Sequence, residues 1–322
     1  MKSFYQHVLR GTLFMAGLFV LMIVTSKLVT PREISKDCGI QDAAANAIQN
    51  EPENTIDVLI LGDSETYSSM IPLQMWRDYG ITGYCCGTSA QNLGYSLQFL
   101  QKAFEHQSPK VVILETNEFF RDFSYGEAIK YRMDRKFPVF SYHNRWKNLS
   151  GKTKKNAATT VYADNTKGYV FSAAIAPADD SDYMSPSEEK DTVSAKSLAY
   201  LQDIVDYCKK KGAKLLLVST PSTKNWNYKR HNCLVDISEH FSVDYIDMNL
   251  MAEQIPIDWK RDSRDHGDHL NFSGATKVTD YLGRLLVEEL EIPDHRGEDA
   301  FFQWNIDLEE FNKLTALSIL TK

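Results

Sequence analysis

The sequence predicts an α/β fold, a three-layer α/β/α sandwich built on a parallel sheet and preceded by one transmembrane helix. Short apolar runs that end at glycine, proline or polar residues alternate with longer segments of helical periodicity. A second observation is an uncharged apolar stretch close to the N-terminus. Because parallel strands joined through helices need crossovers that cover both faces of the sheet, the alternation favours a sheet between two helical layers.

The composition is that of a globular chain. Its 322 residues allow one large domain or two small ones. Hydrophobic residues make up 43% and charged residues 25%, which excludes a wholly disordered or multi-span membrane protein. The net charge of -7 and the lack of a long basic run disfavour nucleic acid as a partner. The five cysteines fit neither a zinc ribbon nor a dense disulfide framework.

Residues 1–30 are predicted to form an N-terminal transmembrane anchor. Positions 11–26 carry no charge, and with Arg10 and Lys27 reaching the interfaces, residues 8–29 can cross a hydrocarbon core that needs about 20 residues. A cleaved signal peptide, here without an A-x-A site, and a buried helix are the alternatives. Basic residues flank both ends, but the short basic start favours an extracytoplasmic location for the rest of the chain.

After a predicted linker over 31–54, residues 55–322 are predicted to form one domain. Its strands are short apolar runs followed by a turn signal, and its helices repeat apolar residues at a spacing of three to four. The predicted strands are Ile56–Leu61, Ile81–Cys86, Val111–Leu114, Lys214–Thr220 and Tyr245–Ile246. The predicted helices are Met70–Tyr79, Asn92–Gln107, Ser194–Lys211 and Ser273–Leu290.

Two regions fall outside the alternation. Residues 118–192 are polar and irregular, and a loop of that length is usually functional or disordered, so we interpret it as an insertion over the active face. Residues 300–321 are predicted to form an amphipathic helix that docks on the domain. Contact of that helix with a membrane or a partner is the alternative.

Polar residues follow the first three predicted strands, where ligands of open α/β sheets bind. Ser64 follows the first strand and is well placed as a nucleophile, although it could simply cap the next helix. Gly87 follows the second strand and would let its backbone N–H approach a substrate oxygen, unless it is only a loop glycine. Asn117 follows the third strand and could donate to an oxyanion or cap the next segment.

A cluster of histidine and aspartate lies at residues 265–269, just before the last predicted helix of the alternating pattern. His269 has carboxylates one and four residues before it, Asp268 and Asp265, so it could be a general base oriented by an acid. The cluster could also ligate a metal ion. Metal sites usually recruit ligands from several segments, and the sequence shows no second cluster, so we expect neither a metal nor another cofactor.

Together, Gly62-Asp63-Ser64, Gly87, Asn117 and His269 resemble the SGNH (GDSL-type) superfamily of esterases and acyltransferases. That family is named for a Ser, a Gly, an Asn and a His in this chain order. The resemblance implies a flavodoxin-like sheet with Ser64 as the nucleophile and His269 as the base. It also implies an oxyanion hole formed by the backbone N–H groups of Ser64 and Gly87 and the side chain of Asn117.

The resemblance is to membrane-anchored envelope proteins of Gram-positive bacteria and, more distantly, to the D-alanyl-transfer protein of teichoic-acid modification. It covers residues 56–117 and 194–290. The chain departs from the family at two points. Its third block is Glu115-Thr116-Asn117-Glu118 instead of Gly-x-Asn-Asp, and position 266, three before His269, is His instead of Asp. Asp265 is therefore our first choice for orienting the histidine, and Asp268 the second.

His143, Arg145 and Trp146 in the insertion also look similar to that group. We interpret them as a substrate wall, on which Trp146 stacks against a sugar and Arg145 pairs with a phosphate or carboxylate. Ordinary contacts within a polar loop are the alternative.

The resemblance implies a membrane-tethered, extracytoplasmic serine esterase or O-acyltransferase that acts on a cell-envelope glycopolymer or another acylated carbohydrate. Ser64 would take an acyl group and pass it to water or a hydroxyl, without a cofactor. A transferase could receive its acyl group through a partner, a membrane-bound O-acyltransferase. The alternative from another class is a non-catalytic binding or scaffold subunit of an envelope polysaccharide-modification complex.

Overall fold

The computed structural model describes residues 2–30, 42–142 and 165–320. The chain divides into two compact units, one formed by residues 1–43 and 124–162 and the other by residues 44–123 and 163–322. The second unit contains the sheet and every candidate site residue that the structure describes.

The sheet of the second unit is parallel throughout, as predicted. Its strand order is β2-β1-β3-β4-β5, which is the flavodoxin-like order. The strands are β1 (Val58–Gly62), β2 (Gly83–Gly87), β3 (Val111–Glu115), β4 (Lys214–Ser219) and β5 (Asp244–Asp247). All five predicted strands are present. β1 and β3 are buried along their whole length, as expected for strands that are covered on both faces.

The helices are α1 (Lys2–Val29), α2 (Ala43–Asn46), α3 (Ser64–Ser69), α4 (Pro72–Tyr79), α5 (Leu93–Ala103), α6 (Tyr125–Lys136), α7 (Ala195–Lys211), α8 (Tyr228–Phe241), α9 (Phe272–Glu288) and α10 (Phe302–Leu320). α5 and α7 pack against each other, while α3 and α4 pack on α9. Right-handed crossovers place these two sets on opposite faces, because β1 leads to β2 in one direction across the sheet and β2 leads to β3 in the other. The predicted α/β/α sandwich is therefore confirmed.

Local sequence explains where the helices begin and end. The side chains of Asp63, Asn92, Ser194, Asn227 and Asn271 each accept a hydrogen bond from a backbone N–H in the first turn of the helix that follows. α4 and α7 end at glycines in the left-handed conformation, Gly80 (φ +70) and Gly212 (φ +73). The predicted helix over 70–79 is shorter at its start because Pro72 takes its first position.

The linker predicted over 31–54 is not a linker in its described part. Residues 43–50 form α2 and a short 3₁₀ helix, in which Ala45, Ala47 and Ile48 are buried. Tyr84 of β2 donates a hydrogen bond from its hydroxyl to the carbonyl of Ala44 (2.8 Å). The alanines of this segment supply small side chains that pack closely on the domain. Residues 31–41 lie outside the described residues.

Residues 165–192 run along the second unit as extended chain and turns, without regular strand or helix. Their backbone is nevertheless bonded to it: Val170 N donates to Tyr67 O (2.8 Å) and Ala176 N donates to Ser263 O (2.9 Å). The rest of the predicted insertion contains α6 and residues outside the described ranges. The first residues of the insertion, 118–123, and its last part belong to the second unit, whereas α6 belongs to the first.

The C-terminal helix α10 packs on α4, where the ring centroids of Trp304 and Trp76 lie 5.6 Å apart. Trp304 and Phe311 are buried, whereas Phe302 and Leu317 are exposed. One face of the helix thus docks on the domain.

The first unit contains α1, whose residues Phe4–Val29 are long and apolar enough to cross a membrane. A signal sequence would satisfy the same criterion. The ring centroids of Phe19 and Phe137 lie 5.7 Å apart, edge to face, and Val139 N donates to Ser26 Oγ (3.2 Å). The segment that follows α6 therefore packs on the C-terminal half of the apolar helix.

Candidate active site

Ser64 is the first residue of α3, directly beyond the carboxyl end of β1. The turn that exposes it depends on Gly62, whose φ of +148° is unfavourable for other residues. A Cβ at position 62 would lie 2.3 Å from Thr66 Oγ1 and 2.7 Å from Glu115 Cβ. Asp63 then caps α3, because its Oδ1 accepts from Glu65 N (3.0 Å). Ser64 is consequently held at the sheet edge by its neighbours on both sides.

Asp63 joins the ends of β1 and β3. It is completely buried, and its Oδ2 accepts from Asn117 Nδ2 (2.8 Å) and Arg121 Nε (2.7 Å). The Asn117 amide is bonded at its other end as well, because Arg230 Nη1 donates to its Oδ1 (2.8 Å). The asparagine predicted for the oxyanion hole is therefore tied to the residue that precedes the serine.

Gly87 pairs with Gly62 at the end of β2. A Cβ at position 87 would lie 3.0 Å from the carbonyl oxygen of Asp63 and 3.2 Å from Thr66 Cβ. The backbone of Gly87 thus lies against the turn that leads to Ser64. The structure brings the three predicted oxyanion residues, Ser64, Gly87 and Asn117, to one edge of the sheet.

The predicted general base is held by Asp265. The Nδ1 atom of His269 lies 2.6 Å from Asp265 Oδ2, and the backbone N–H of His269 donates to Oδ1 of the same carboxylate (2.6 Å). Asp268 is farther away, with 3.8 Å between its Oδ2 and Nδ1 of His269. The geometry therefore favours the first choice over the second. His266, at the family's usual acid position, instead hydrogen-bonds the carbonyl of Pro177 through Nδ1 (3.0 Å).

Asn225 connects the serine region to the histidine loop. Its Nδ2 donates to Glu65 Oε1 (2.7 Å) and to Asp268 Oδ1 (2.6 Å). The residue after Ser64 is thus bonded, through one amide, to the residue before His269. The buried Nε2 of His269 has no hydrogen-bond partner among the described residues, so the Ser64 hydroxyl and the imidazole are not hydrogen-bonded to each other in this structure. Proton transfer from Ser64 to His269 would therefore need the two side chains to approach each other, and catalytic hydrogen bonds often tighten only when substrate binds.

Three buried glutamates surround this edge of the sheet. Burial raises the pKa of Glu65 well above its usual range, and the nearby Glu115 and Asp63 raise it further. Burial and Asp63 also raise the pKa of Glu115, to about 8. The pKa of Glu118 is also raised well above its usual range, because burial raises it more than a hydrogen bond from Ser96 lowers it. Burial and the neighbouring carboxyl groups therefore favour the protonated form of all three glutamates.

Glu115, which follows four apolar residues, bonds to backbone and hydroxyl groups and forms no ion pair with Arg121. Its Oε2 accepts from Asn117 N (2.9 Å), and its Oε1 lies 3.4 Å from the backbone nitrogen and the hydroxyl of Thr220. Arg121 contacts Asp63 instead. The buried glutamate thus joins the ends of β3 and β4.

Among the described residues, one group of side chains has the geometry to hold a metal ion. Glu65, Asp268 and His269 each offer a ligand atom, and these atoms lie within 4.8 Å of one another. Glu65 is the ligand from a second segment that the sequence did not reveal. However, Asn225 already donates to both carboxylates, and Asp265 engages Nδ1 of the histidine. A metal ion here would bind Nε2 of His269, the atom that the serine mechanism needs free.

The predicted substrate wall, His143, Arg145 and Trp146, lies outside the described residues. Sequence reasoning also missed Asn225 and Arg230. Asn225 could have been found, because it lies in the loop directly after β4 and obeys the same strand-end rule as Ser64. Arg230 had no such signal, since it stands in the first turn of a helix that was not predicted.

A scan against protein-family models returned no match, and a search of curated proteins returned none either. Among solved structures, the chain is similar to an acylhydrolase from Bacteroides fragilis, with 12% identity and a TM-score of 0.41 over 79% of this chain and 98% of that one. It is also similar to a G-D-S-L family lipolytic protein from Desulfitobacterium hafniense, with 12% identity and a TM-score of 0.37 over 71% of this chain and 98% of that one. An esterase from Pseudoalteromonas sp. gives 13% identity and a TM-score of 0.38 over 73% and 98% of the two chains.

Proposed function

We propose that this protein is an SGNH-type serine esterase or O-acyltransferase, tethered to the membrane by α1, with its catalytic unit outside the cytoplasm. The observation that carries the proposal is the Asp265–His269 pair (2.6 Å) at the same edge as Ser64, Gly87 and Asn117. An acid-oriented imidazole beside a serine at a strand end is the arrangement that acyl transfer needs.

In the proposed mechanism, Ser64 Oγ attacks the carbonyl carbon of an acyl ester while His269 Nε2 takes the hydroxyl proton. Asp265 stabilises the imidazolium that forms. The negative oxygen of the tetrahedral intermediate accepts from the N–H groups of Ser64 and Gly87 and from Asn117 Nδ2. One such donor contributes about 3–4 kcal/mol to the stability of the transition state. His269 then returns the proton to the leaving alcohol, which leaves an acyl ester on Ser64.

In the second step, a hydroxyl group attacks the acyl ester, His269 takes its proton, and the proton returns to Ser64 Oγ. Water as the attacking group makes the protein an esterase, and a glycopolymer hydroxyl makes it a transferase. The same residues serve both reactions. We propose an envelope glycopolymer or another acylated carbohydrate as the substrate and, for the transferase, a membrane-bound O-acyltransferase as the donor partner. This finer proposal rests on the family resemblance.

The first test is turnover of p-nitrophenyl acetate and labelling by a fluorophosphonate probe, both with the full chain in detergent. Wild type should turn over and be labelled, whereas Ser64→Ala and His269→Ala should lose turnover by a factor of about 10⁴ or more. Ser89→Ala is the matched control, because it removes an exposed serine after the neighbouring strand β2 and should change nothing.

Two outcomes would redirect the proposal. If wild type is inert and Ser64 is not labelled, the non-catalytic scaffold becomes the better interpretation. If EDTA abolishes turnover and Zn²⁺ restores it, the ligand set Glu65, Asp268 and His269 becomes the candidate reaction centre. The serine mechanism instead requires that EDTA leave turnover unchanged.

The proposed location is tested separately. In a Gram-positive host, the full chain should fractionate with membranes, and protease added to protoplasts should degrade the catalytic unit. A soluble, shortened product would indicate that α1 is a cleaved signal sequence. Full protection from the protease would place the catalytic unit inside the cell.

A further inference from the structure

The two polar atoms of the Asn117 side-chain amide bind groups of opposite charge. Its Nδ2 donates to the Asp63 carboxylate (2.8 Å), and its Oδ1 accepts from Arg230 Nη1 (2.8 Å). A carboxylate only accepts hydrogen bonds and a guanidinium only donates them. A flipped amide would therefore set oxygen against carboxylate and nitrogen against guanidinium, and both contacts would be repulsive. The two partners together allow one orientation of the amide.

This orientation matters because an amide nitrogen carries two N–H groups. One N–H of Asn117 Nδ2 is directed to Asp63. The other is the donor that the proposed mechanism assigns to the oxyanion. If the amide flipped, the carbonyl oxygen would face the developing negative charge and repel it. The orientation of Asn117 thus decides whether the residue helps or hinders acyl transfer.

Arg230 is itself fixed by groups from three other segments. Its Nη1 donates to the carbonyl of Asn225 (2.5 Å), and its guanidinium carbon lies 4.4 Å from the ring centroid of Phe120. Its Nε lies 3.5 Å from Asp191 Oδ2. An arginine held over an aromatic ring and between two acceptors loses little further freedom when it binds a third group. It can therefore serve as a rigid support for the amide.

The charge of Arg230 acts in the same direction as its hydrogen bond. Asp63 places a carboxylate beside the proposed oxyanion, where it would oppose the negative charge of the intermediate. Arg121 contacts that carboxylate from one side, and Arg230 adds a positive charge at the far end of the amide. A cation on the amide oxygen also polarises the amide and makes its N–H groups stronger donors.

We propose that Arg230 is a positioning residue of the oxyanion hole, which acts by holding the Asn117 amide with its nitrogen toward the oxyanion. The inference rests on the proposed function, because it assigns the cause of a geometry that the serine mechanism requires. Arg230 lies on α8, outside every motif that the resemblance covers by name.

The test is a double-mutant cycle with the full chain on p-nitrophenyl acetate. Arg230→Met should lower kcat about 10- to 100-fold and leave KM within about twofold, since an oxyanion contact forms only in the transition state. In the Asn117→Ala background, the same change should lower kcat less than threefold, because no amide is left to orient. Arg230→Lys should recover part of the rate. Arg284→Met, at an exposed ion pair on α9, is the control and should leave kcat unchanged.

The inference is overturned if Arg230→Met lowers kcat by the same factor with and without Asn117, or does not lower it at all. Failure of the proposed function looks different, because wild type would then be as inert as Ser64→Ala. In that case the side-chain amide signals of Asn117 in a ¹⁵N-correlated NMR spectrum, identified by their loss in Asn117→Ala, still test the geometry. They should shift in Arg230→Met and Arg230→Lys but not in Arg284→Met. Unchanged signals in both Arg230 variants would overturn the inference.

Discussion

Two buried ionic regions of the second unit differ in how their charges are balanced. One region, which we call the Lys167 clasp, consists of Lys167, Glu51, Asp307 and Trp304. The fully buried Lys167 donates to Glu51 (2.8 Å) and pairs with Asp307 of α10 (2.6 Å), and its ammonium lies 4.7 Å from the ring centroid of Trp304. At the carboxyl edge of the sheet, by contrast, Asp63 and three buried glutamates have Arg121 and Arg230 as the nearby cations.

Burial disfavours the charged form of an ionisable group, and the two regions reduce this free-energy cost in different ways. Burial alone would lower the pKa of Lys167, but the ion pairs with Glu51 and Asp307 outweigh it and raise the pKa, so the ammonium group stays charged. At the sheet edge, carboxyl groups exceed cations, and burial raises the pKa of all three glutamates, which favours their protonated forms. The ion pairs of Lys167 therefore contribute to the stability of the fold. At the sheet edge, the excess of buried carboxyl groups lowers the stability, but it places polar groups where acyl transfer would occur.

The largest expected effect on the sheet edge comes from Asp265→Asn. An amide cannot stabilise the imidazolium and favours the wrong tautomer, so kcat should fall about 10³- to 10⁴-fold while the unfolding free energy stays nearly unchanged. Asp268→Asn is the matched control, since Asp268 is farther from Nδ1 of His269 (3.8 Å against 2.6 Å), and should cost less than tenfold. A larger loss of kcat in Asp268→Asn would reverse the assignment of the acid.

The clasp should show the opposite pattern. Lys167→Met leaves two buried carboxylates without their cation, so the unfolding free energy should fall by about 3–5 kcal/mol while kcat of the folded protein is retained. Lys190→Met breaks a pair with Asp236 at the same 2.6 Å, but both side chains are more than half exposed. It should therefore change stability by less than about 1 kcal/mol. Urea unfolding measures the change in unfolding free energy for both variants. Equal losses of unfolding free energy would contradict the distinction between the buried and the exposed ion pair.

The surplus of carboxyl groups predicts a pH dependence of stability. With a pKa raised from 4.5 to about 8, Glu115 holds its proton when folded and releases it when unfolded between those pH values. Its contribution is therefore complete below about pH 4.5 and is lost as the pH rises to about 8, by at most about 1.4 kcal/mol per pH unit. Urea unfolding at pH 5.5 and 8.5 should show this fall in wild type and a smaller fall in Glu115→Gln.

The exposed Glu53 supplies the control for that measurement. Glu53→Gln should keep the wild-type difference between the two pH values. If Glu115→Gln keeps it as well, the glutamate at the end of β3 is ionised in the folded protein, and the contrast between the two buried regions loses its electrostatic basis.

The smallest expected effect comes from Gly87→Ala. The added methyl group would lie 3.0 Å from Asp63 O and 3.2 Å from Thr66 Cβ, so the end of β2 must move away from the Ser64 turn. A displaced backbone N–H should lower kcat about tenfold, measured on p-nitrophenyl acetate. Gly83→Ala, at the start of the same strand, meets its nearest atom at 3.5 Å and should leave kcat unchanged. Equal rates for the two variants would argue against Gly87 as an oxyanion donor.

Sequence reasoning located the five strands and the residues that follow them, because both leave local signals. A buried parallel strand must be a short apolar run, and the chain must turn where the run ends. Ser64, Gly87 and Asn117 were therefore singled out as candidates from their positions after the strands, and the family resemblance supplied their predicted roles. Reasoning of this kind failed over residues 43–50, where an alanine-rich segment packs as helix against the domain.

Thus the sequence by itself determined the α/β class, the strand-end residues Ser64, Gly87 and Asn117, and His269 as the candidate base. Only the tertiary structure decided that Asp265 contacts the imidazole, that Asn225 connects Glu65 to Asp268, and that Arg230 reaches Asn117. The last of these contacts joins residues 113 positions apart in the chain. Such contacts depend on the relative placement of β-strands and α8 across the sheet, and a hydrogen bond between distant segments leaves no periodicity or spacing in the sequence.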